Sequence, residues 1–234
     1  MTTAILLNGD YEDDDFYRRQ LDRAQQAVAA DGGHRLLRRL GRWPRVLVGD
    51  FDSLPAELLN EAEAAGVEVL AHPVRKDETD AELAVAVAEE RWPDEIVLLG
   101  ALGGAFDHAL GHLAVLRGLA GRGRRARIAA PSLAATVLWG PASILLAAPV
   151  GTRVSLLALT PDVVLTLRGF DYELVSTPLP ASSCRGLGNR VAHAGAIITV
   201  VAGLALALVA DGEETFSPMP DQLEADRAPR AARP

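Results

Sequence analysis

Val46-Leu47-Val48-Gly49-Asp50-Phe51-Asp52-Ser53-Leu54 decides the class of fold. The β-branched and leucine run at its start reads as a short buried strand, and the strand delivers two carboxylates at its end. Residues two apart in an extended stretch point to the same side, so Asp50 and Asp52 are expected to face one small volume. Two anions so placed repel each other unless a cation lies between them. A hard, oxygen-loving ion is indicated, and Mg²⁺ holding a phosphate is the natural candidate.

Outward from this stretch, short apolar runs alternate with helical patterns. Ile5-Leu6-Leu7 is a first strand, and an acidic, turn-prone stretch at 11–15 leads into a helix over 16–25. Gln26-Ala27-Val28-Ala29-Ala30 reads either as the end of that helix or as a second strand. Propensity favours helix, whereas Asp31-Gly32-Gly33 is a sharp stop that suits a short buried strand. A helix over 34–40 closed by Gly41 precedes the strand at 45–48. Pro55 then opens a helix over 56–65 ended by Gly66, and a strand follows at 67–70. Thr79 caps a helix over 80–90, with Glu82 completing a capping-box pattern. Trp92-Pro93 breaks it before a strand at 95–99, a glycine-rich turn at 100–105, a helix over 106–119 and a strand at 127–130. Such alternation specifies a mostly parallel sheet with helices on both faces, in which ligands bind where strand ends meet loops.

The rhythm changes near Pro131. Strands at 137–138, 143–146, 153–159, 163–167 and 197–209, punctuated by Gly and Pro, indicate an all-β unit built as a small sandwich. The expected organisation is an α/β catalytic domain over 1–133, a β-sandwich over 134–216 and a flexible tail over 217–234, which holds four prolines and mixed charge.

The chain has 234 residues, enough for a real core, and 49% of them are hydrophobic, so it folds. A net charge of −8 argues against a general nucleic-acid binder and suits acidic, metal-dependent chemistry. The single cysteine, Cys184, permits no intramolecular disulfide; a cytoplasmic protein with a buried structural thiol is expected. The start, Met1-Thr2-Thr3-Ala4-Ile5-Leu6-Leu7, lacks the basic residues and long apolar stretch of a signal peptide. The apolar stretch at 194–210 falls short of the ~20 residues a membrane helix needs. Two adjacent strands with a turn at Ala202-Gly203 suit its β-branched run better, so no membrane partner is expected.

Four clusters fall at expected strand ends. They are Asp31-Gly32-Gly33, Gly49-Asp50-Phe51-Asp52-Ser53, Lys76-Asp77-Glu78-Thr79-Asp80 and Gly103-Gly104-Ala105-Phe106-Asp107-His108. Each alone has a plain structural explanation: a turn, a helix cap, a tight connection. Together they fit a phosphate-transfer site. Asp50, Asp52 and Asp80 can supply carboxylates to one or two Mg²⁺ ions that bridge phosphate oxygens. Lys76 is a point charge suited to a polyphosphate. The Gly103-Gly104 backbone can approach a ligand closely, and the following helix N-terminus favours an anion. Asp107 is a cap or a ligand contact. His108 and His112, four apart on one helix face, lack the third ligand of a zinc site, so packing or substrate contact is the favoured reading.

These clusters, in this order and followed by a β-rich half, resemble the thiamine pyrophosphokinase family, whose patterns have the forms ADGG, GDFDS, KD.TD and GGR.DH. They stand here at residues 30–33, 49–53, 76–80 and 103–108, and Cys184-Arg185-Gly186-Leu187-Gly188-Asn189 is similar to the family's RG.SN segment. The resemblance implies transfer of pyrophosphate from ATP to the hydroxyl of thiamine, giving thiamine diphosphate and AMP, with Mg²⁺. It implies a homodimer that binds thiamine between the α/β half of one subunit and the β half of the other. On this resemblance Asp50, Asp52 and Asp80 match the carboxylates for metal and pyrophosphate, and Asp31 one at the site's edge. Lys76 and Thr79 match the phosphate side, and Gly103, Gly104, Asp107 and His108 the nucleotide side. Arg185, Gly188 and Asn189 match the acceptor side. Asp31 or Asp52 is the candidate general base.

The family carries arginine where Ala105 stands, serine where Gly188 stands and an acid at Arg190, and no stacking aromatic is evident in Thr177-Pro178-Leu179-Pro180. Three other readings therefore stay open. One is a sister pyrophosphokinase acting on another hydroxymethyl heterocycle such as a pterin. Another is a haloacid-dehalogenase-like phosphatase, whose strand-Asp-x-Asp motif Asp50-Phe51-Asp52 imitates. The last is a non-catalytic nucleotide-binding regulator.

Overall fold

The computed structural model describes residues 1–52, 54–75, 77–92, 94–213 and 216–219. The chain divides into two compact units, one made of Met1–Val115 with Arg124–Pro131, the other of Leu116–Gly123 with the chain from Ser132 onward.

The first unit runs β1 (Thr2–Leu6), α1 (Asp14–Arg23), β2 (Gln26–Ala30), a 3₁₀ turn (Asp31–Gly33), α2 (His34–Arg39), β3 (Val46–Gly49), α3 (Ala56–Ala64), β4 (Glu68–Ala71), α4 (Asp80–Arg91), β5 (Glu95–Leu99), α5 (Phe106–Gly121, its end from Leu116 falling in the second unit) and β6 (Arg125–Ala130). Its strands lie in the order β4-β3-β2-β1-β5-β6, every pair parallel. From β1 the chain steps outward to β4, returns across the sheet through α4 and places β5 on the other side of β1. The direction of winding therefore reverses between β1 and β5, and a crevice opens beyond their carboxyl ends.

The helices start and stop where the side chains dictate. Asp13 caps α1 by accepting the Phe16 N–H at 2.9 Å, and Asp14 and Asp15 favour the positive end of the helix dipole. Phe16, Tyr17 and Leu21 of α1, Leu36 and Leu37 of α2 and Ala62 of α3 form one cluster with Ala4, Leu6, Ala29, Leu47, Val97, Leu99 and Ala129 of the strands. Ala81, Ala84, Val85 and Ala88 of α4 are buried outside that cluster, and α4 packs on β1, β2 and β3. Strand residues alternate between faces, so α4 covers the face opposite α1–α3. Helices thus lie on both faces, as the pattern requires.

The ambiguous segment at 26–30 is the strand β2, inserted between β1 and β3. Burial decides it: Val28 and Ala29 are fully inside the sheet, and that context overrides the helical preference of alanine.

The second unit comprises β7 (Leu133–Trp139), β8 (Ala142–Leu145), β9 (Arg153–Ala158), β10 (Val164–Arg168), β11 (Leu174–Pro178), β12 (Asn189–Arg190), β13 (Ile197–Ala202), β14 (Leu204–Val209) and β15 (Ser217–Pro218). One antiparallel layer has the order β12-β9-β14-β7, the other β11-β10-β13-β8-β15. Their inward residues, among them Ile144, Val154, Leu156, Leu165, Ile198, Val200, Ala205 and Val209, share one core. The two strands expected around Ala202-Gly203 both exist, but they are not neighbours in a sheet. β13 pairs with β8 and β10, β14 with β7 and β9, and Gly203 (φ +76°) carries the chain from one layer to the other. Trp139 to Ala142 makes a second crossing, and the N–H of Gly140 there donates to the Gly203 carbonyl at 2.9 Å.

β11, β12 and β15 escape the sequence pattern. β11 is bulged, with Ser176 at φ +44°, and the other two have two residues each. The expected tail at 217–234 begins instead with β15 paired to β8, and its remainder from residue 220 lies outside the described residues. Cys184 is exposed rather than buried, in a turn of the β unit, which corrects the expectation of a core thiol. Among the described residues no helix is long and apolar enough to cross a membrane.

Candidate active site

Each predicted cluster of the first unit sits at the carboxyl end of a strand or at the helix start facing it. After β2 the backbone turns at once: Asp31 adopts φ +40°, its carbonyl accepts from Nδ1 of the buried His34 at 2.8 Å, and α2 begins. Close approach to backbone requires glycine at 33, while Gly32 lies against the side chain of Asn8. A Cβ on Gly33 would lie 2.0 Å from the Leu6 carbonyl oxygen, and one on Gly32 2.2 Å from Asn8 Oδ1.

After β3 the chain is not extended through the acidic pair. Phe51 is buried and left-handed at φ +57°, and Asp50 Oδ1 accepts the backbone N–H of Asp52 at 3.3 Å. The two carboxylates are therefore joined by a tight turn pinned by the Phe51 ring, which corrects the pleat argument while leaving both near one volume. Asp80, the first residue of α4, approaches the same volume. Burial raises the Asp31 carboxyl above its ordinary range; the Gly32 N–H opposes this, and the charges of Asp80, Asp50 and Asp52 add to it. Asp31 Oδ1 is buried with no hydrogen-bond partner. Four carboxylates thus share one field, a costly arrangement for the protein alone and a favourable one for a bound cation. Among the described residues, however, no three His, Cys, Asp or Glu side chains converge into a ready-made metal cage.

The other predicted residues divide. Lys76 and Ser53 lie outside the described residues. Thr79 is engaged in the capping box: its hydroxyl accepts the Glu82 N–H at 3.2 Å, while its backbone N–H at 2.8 Å and then its hydroxyl at 2.9 Å donate to Glu82 Oε2 and hold that carboxyl below its usual range. Gly103 and Gly104 are both left-handed, at φ +91° and +67°, and the Gly104 N–H donates to Asp10 Oδ2 at 3.0 Å. Asp107 accepts the N–H of exposed His108 at 2.9 Å. His112 donates from Nδ1 to the Ala101 carbonyl at 2.7 Å; burial lowers its proton affinity, as does His108 nearby. That is a packing role, as favoured over a metal role.

In the β unit Gly188 is left-handed at φ +77°, a conformation that disfavours serine, and its N–H donates to the hydroxyl of Ser155 at 3.1 Å. Asn189 is a clamp: Oδ1 accepts the Tyr172 N–H at 3.1 Å and Nδ2 donates to the Tyr172 carbonyl at 2.8 Å. Arg185 is exposed, with its N–H on Ser183 Oγ. Tyr172 itself is 74% exposed, an aromatic ring face outside the expected stretch at 177–180. Asn8, Asp10 and Tyr11 were also missed, although Asn8-Gly9-Asp10 follows the first strand just as the other clusters follow theirs.

Residues 17–128 match the family model for the catalytic domain of thiamin pyrophosphokinase. Over that stretch, just under half of its length, the chain is similar to the thiamin pyrophosphokinase family. The thiamine pyrophosphokinase of Bacillus subtilis (strain 168) is 35% identical over 89 residues, 38% of this chain and 42% of that protein. Thiamine pyrophosphokinase 1 of Oryza sativa subsp. japonica is 32% identical over 116 residues, 41% of this chain and 44% of that protein. The chain thus spans less than half the length of the curated relatives it matches. The likeness of fold extends further. The crystal structure of the thiamin pyrophosphokinase of Geobacillus thermodenitrificans superposes with a TM-score of 0.78 at 27% identity, covering 91% of this chain and 99% of that one. The thiamine pyrophosphokinase of Bacillus subtilis gives 0.79 at 24% identity, covering 90% and 99%. These family members share the α/β part followed by a β-sandwich.

Proposed function

We propose that the protein transfers the pyrophosphoryl group of ATP to the hydroxyl of thiamine, giving thiamine diphosphate and AMP, with Mg²⁺. The observation that carries this reading is the shared field of Asp31, Asp50, Asp52 and Asp80 inside the stretch that matches the catalytic domain. In the reaction the hydroxyl oxygen attacks the β-phosphorus, the bond from that phosphorus to the α,β-bridging oxygen breaks, and AMP leaves with that oxygen. Asp31, half-buried and holding its proton more tightly than an ordinary carboxyl, is the base that takes the hydroxyl proton.

The donor set fits Mg²⁺. All candidates are hard carboxylate oxygens, Asp31 Oδ1 lacks a partner, and Mg²⁺ commonly takes one or two carboxylates while waters and phosphate oxygens complete its shell. A preformed three-carboxylate cage is therefore not required. Asp50, Asp52 and Asp80 would hold the ion, which when bound neutralises charge on the polyphosphate. Lys76 would add a point charge there, and Thr79 acts by fixing the start of α4 and with it Asp80. Gly103, Gly104, Asp107 and His108 form the nucleotide side. On the acceptor side, Arg185, Gly188 and Asn189 shape the turn, and Tyr172 offers a ring face suited to a cationic heterocycle such as thiazolium. The same reading takes a homodimer with active sites between subunits, in the cytoplasm, with no nucleic-acid or membrane partner.

Incubation with ATP, Mg²⁺ and either thiamine or a hydroxymethylpterin tests it. Thiamine-dependent AMP and thiamine diphosphate are expected. AMP with the pterin alone would transfer the reading to the sister activity. Phosphate release without an acceptor would indicate a phosphatase, and ATP binding without AMP a regulator.

A further inference from the structure

The crevice between β1 and β5 is closed at its rim by side chains that the proposed chemistry does not use. Leu7 continues the ladder, its N–H donating to the Leu99 carbonyl at 2.9 Å. The Tyr11 hydroxyl, whose burial pushes the phenol well above its usual range, is shared between the Leu7 carbonyl at 2.5 Å and the Leu99 carbonyl at 3.3 Å. It pins the next residue back, Asp10, over the glycine turn. Three glycines are shaped to this closure: a Cβ on Gly9 would lie 2.1 Å from the Gly100 carbonyl oxygen, on Gly100 2.4 Å from Tyr11 Oη, and on Gly103 2.7 Å from Asp10 Oδ2. The Gly104 N–H, the donor that a phosphate would be expected to take, already donates to the chain's own carboxylate.

We propose that Asp10 is a positioning residue for the nucleotide side, its carboxylate holding the Gly103-Gly104 turn through the Gly104 N–H so that α5 starts in a fixed place. The inference rests on the pyrophosphokinase reading and sharpens it: the turn is held by Asp10 and not by the nucleotide, and the phosphates are borne by the carboxylate side of the crevice. An aspartate suits the task because a charge-assisted bond to a backbone N–H outcompetes water at an exposed rim. Tyr11, anchored on two neighbouring strands, removes the freedom that would otherwise weaken the bond.

The test uses the full chain with Asp10→Ala and Asp10→Asn, the second keeping an acceptor oxygen without the charge. Asp10→Ala is expected to raise the KM for ATP about tenfold, the scale of one lost charge-assisted hydrogen bond, with kcat within about twofold and the KM for thiamine unchanged. Asp10→Asn, which keeps the acceptor oxygen but not the charge, recovers part of the loss. Hydrogen–deuterium exchange at the Gly104 amide is expected to be slow in the wild type and in Asp10→Asn, fast in Asp10→Ala, and still slow when a non-hydrolysable ATP analogue is bound. A wild-type KM in Asp10→Ala, no recovery by Asp10→Asn, or Gly104 exchange indifferent to residue 10 would each overturn the proposal. If the wild type releases no AMP with thiamine, the functional reading fails, and the exchange measurement alone still decides the role of Asp10.

Discussion

Replacing Phe51 by alanine and, separately, by glycine measures the backbone that brings Asp50 and Asp52 together. Phe51 is 8% exposed and sits at φ +57°. Losing the buried ring costs about 3–5 kcal/mol in either variant. The two differ only in the backbone. Alanine keeps a Cβ in the left-handed region, at a penalty of about 1–2 kcal/mol, and glycine does not. Glycine in turn gives the unfolded chain roughly 0.4–1 kcal/mol more conformational freedom. The difference leaves Phe51→Gly more stable than Phe51→Ala by about 0.5–1 kcal/mol, the reverse of the order at an ordinary strand position. For a chain of this length that is about 1–4 °C in melting temperature. Circular dichroism melts, paired with urea titrations, read the sign directly. Alanine above glycine by a similar margin would mean that residue 51 is extended after all, and the turn that places the carboxylates would be refuted.

Three further outcomes are expected. Asn189→Ala releases both bonds to Tyr172 and should raise the KM for thiamine about five- to tenfold with little change in kcat, as steady-state AMP release will show. Gly203→Ala places a Cβ 2.9 Å from Val163 Cα at φ +76° and should cost about 2–4 kcal/mol in urea unfolding, whereas Gly66→Ala, at φ +82° in open space, should cost only about 1 kcal/mol. Burial makes His112 hold its proton less tightly in the folded chain than an ordinary histidine, whose value is about 6.5, so the unfolded chain binds the proton first as the solution is acidified. Its contribution is complete above about pH 6.5 and is lost as pH falls through the lower folded value, so His112→Gln should flatten the decline in melting temperature below pH 6.5 relative to the wild type.

The α/β half was legible because its strands are unbroken apolar runs, each ending in a residue type with chemical meaning. β2 was ambiguous because Gln26 to Ala30 carries no periodicity that separates strand from helix, and only its neighbours in the sheet decide. The acidic pair was found by its spacing, yet the spacing argument supplied the wrong geometry. Left-handed Asp31 and Phe51 give no sign in a sequence, where glycine is the usual marker of that conformation. Asn8-Gly9-Asp10 was overlooked although the rule about strand ends covers it. In the β unit, Tyr172 escaped because it lies in a turn before a bulged strand. The work of Asn189 on it depends on a contact across 17 residues of chain.

The bond between the two corner glycines, Gly140 and Gly203, has a consequence for how the β-sandwich can change. Two of the chain's several passages between layers meet at this seam, beside β7, β8, β13 and β14. The strands farthest from it in each layer are β11 and β12, and there the layers are linked by the Phe170–Val191 bridge and the Tyr172–Asn189 pair. The opposite margin is tied too, by the Phe170–Val191 bridge and the Asn189 side chain, so the turn that bears Tyr172 is held from the far layer as well as from its own.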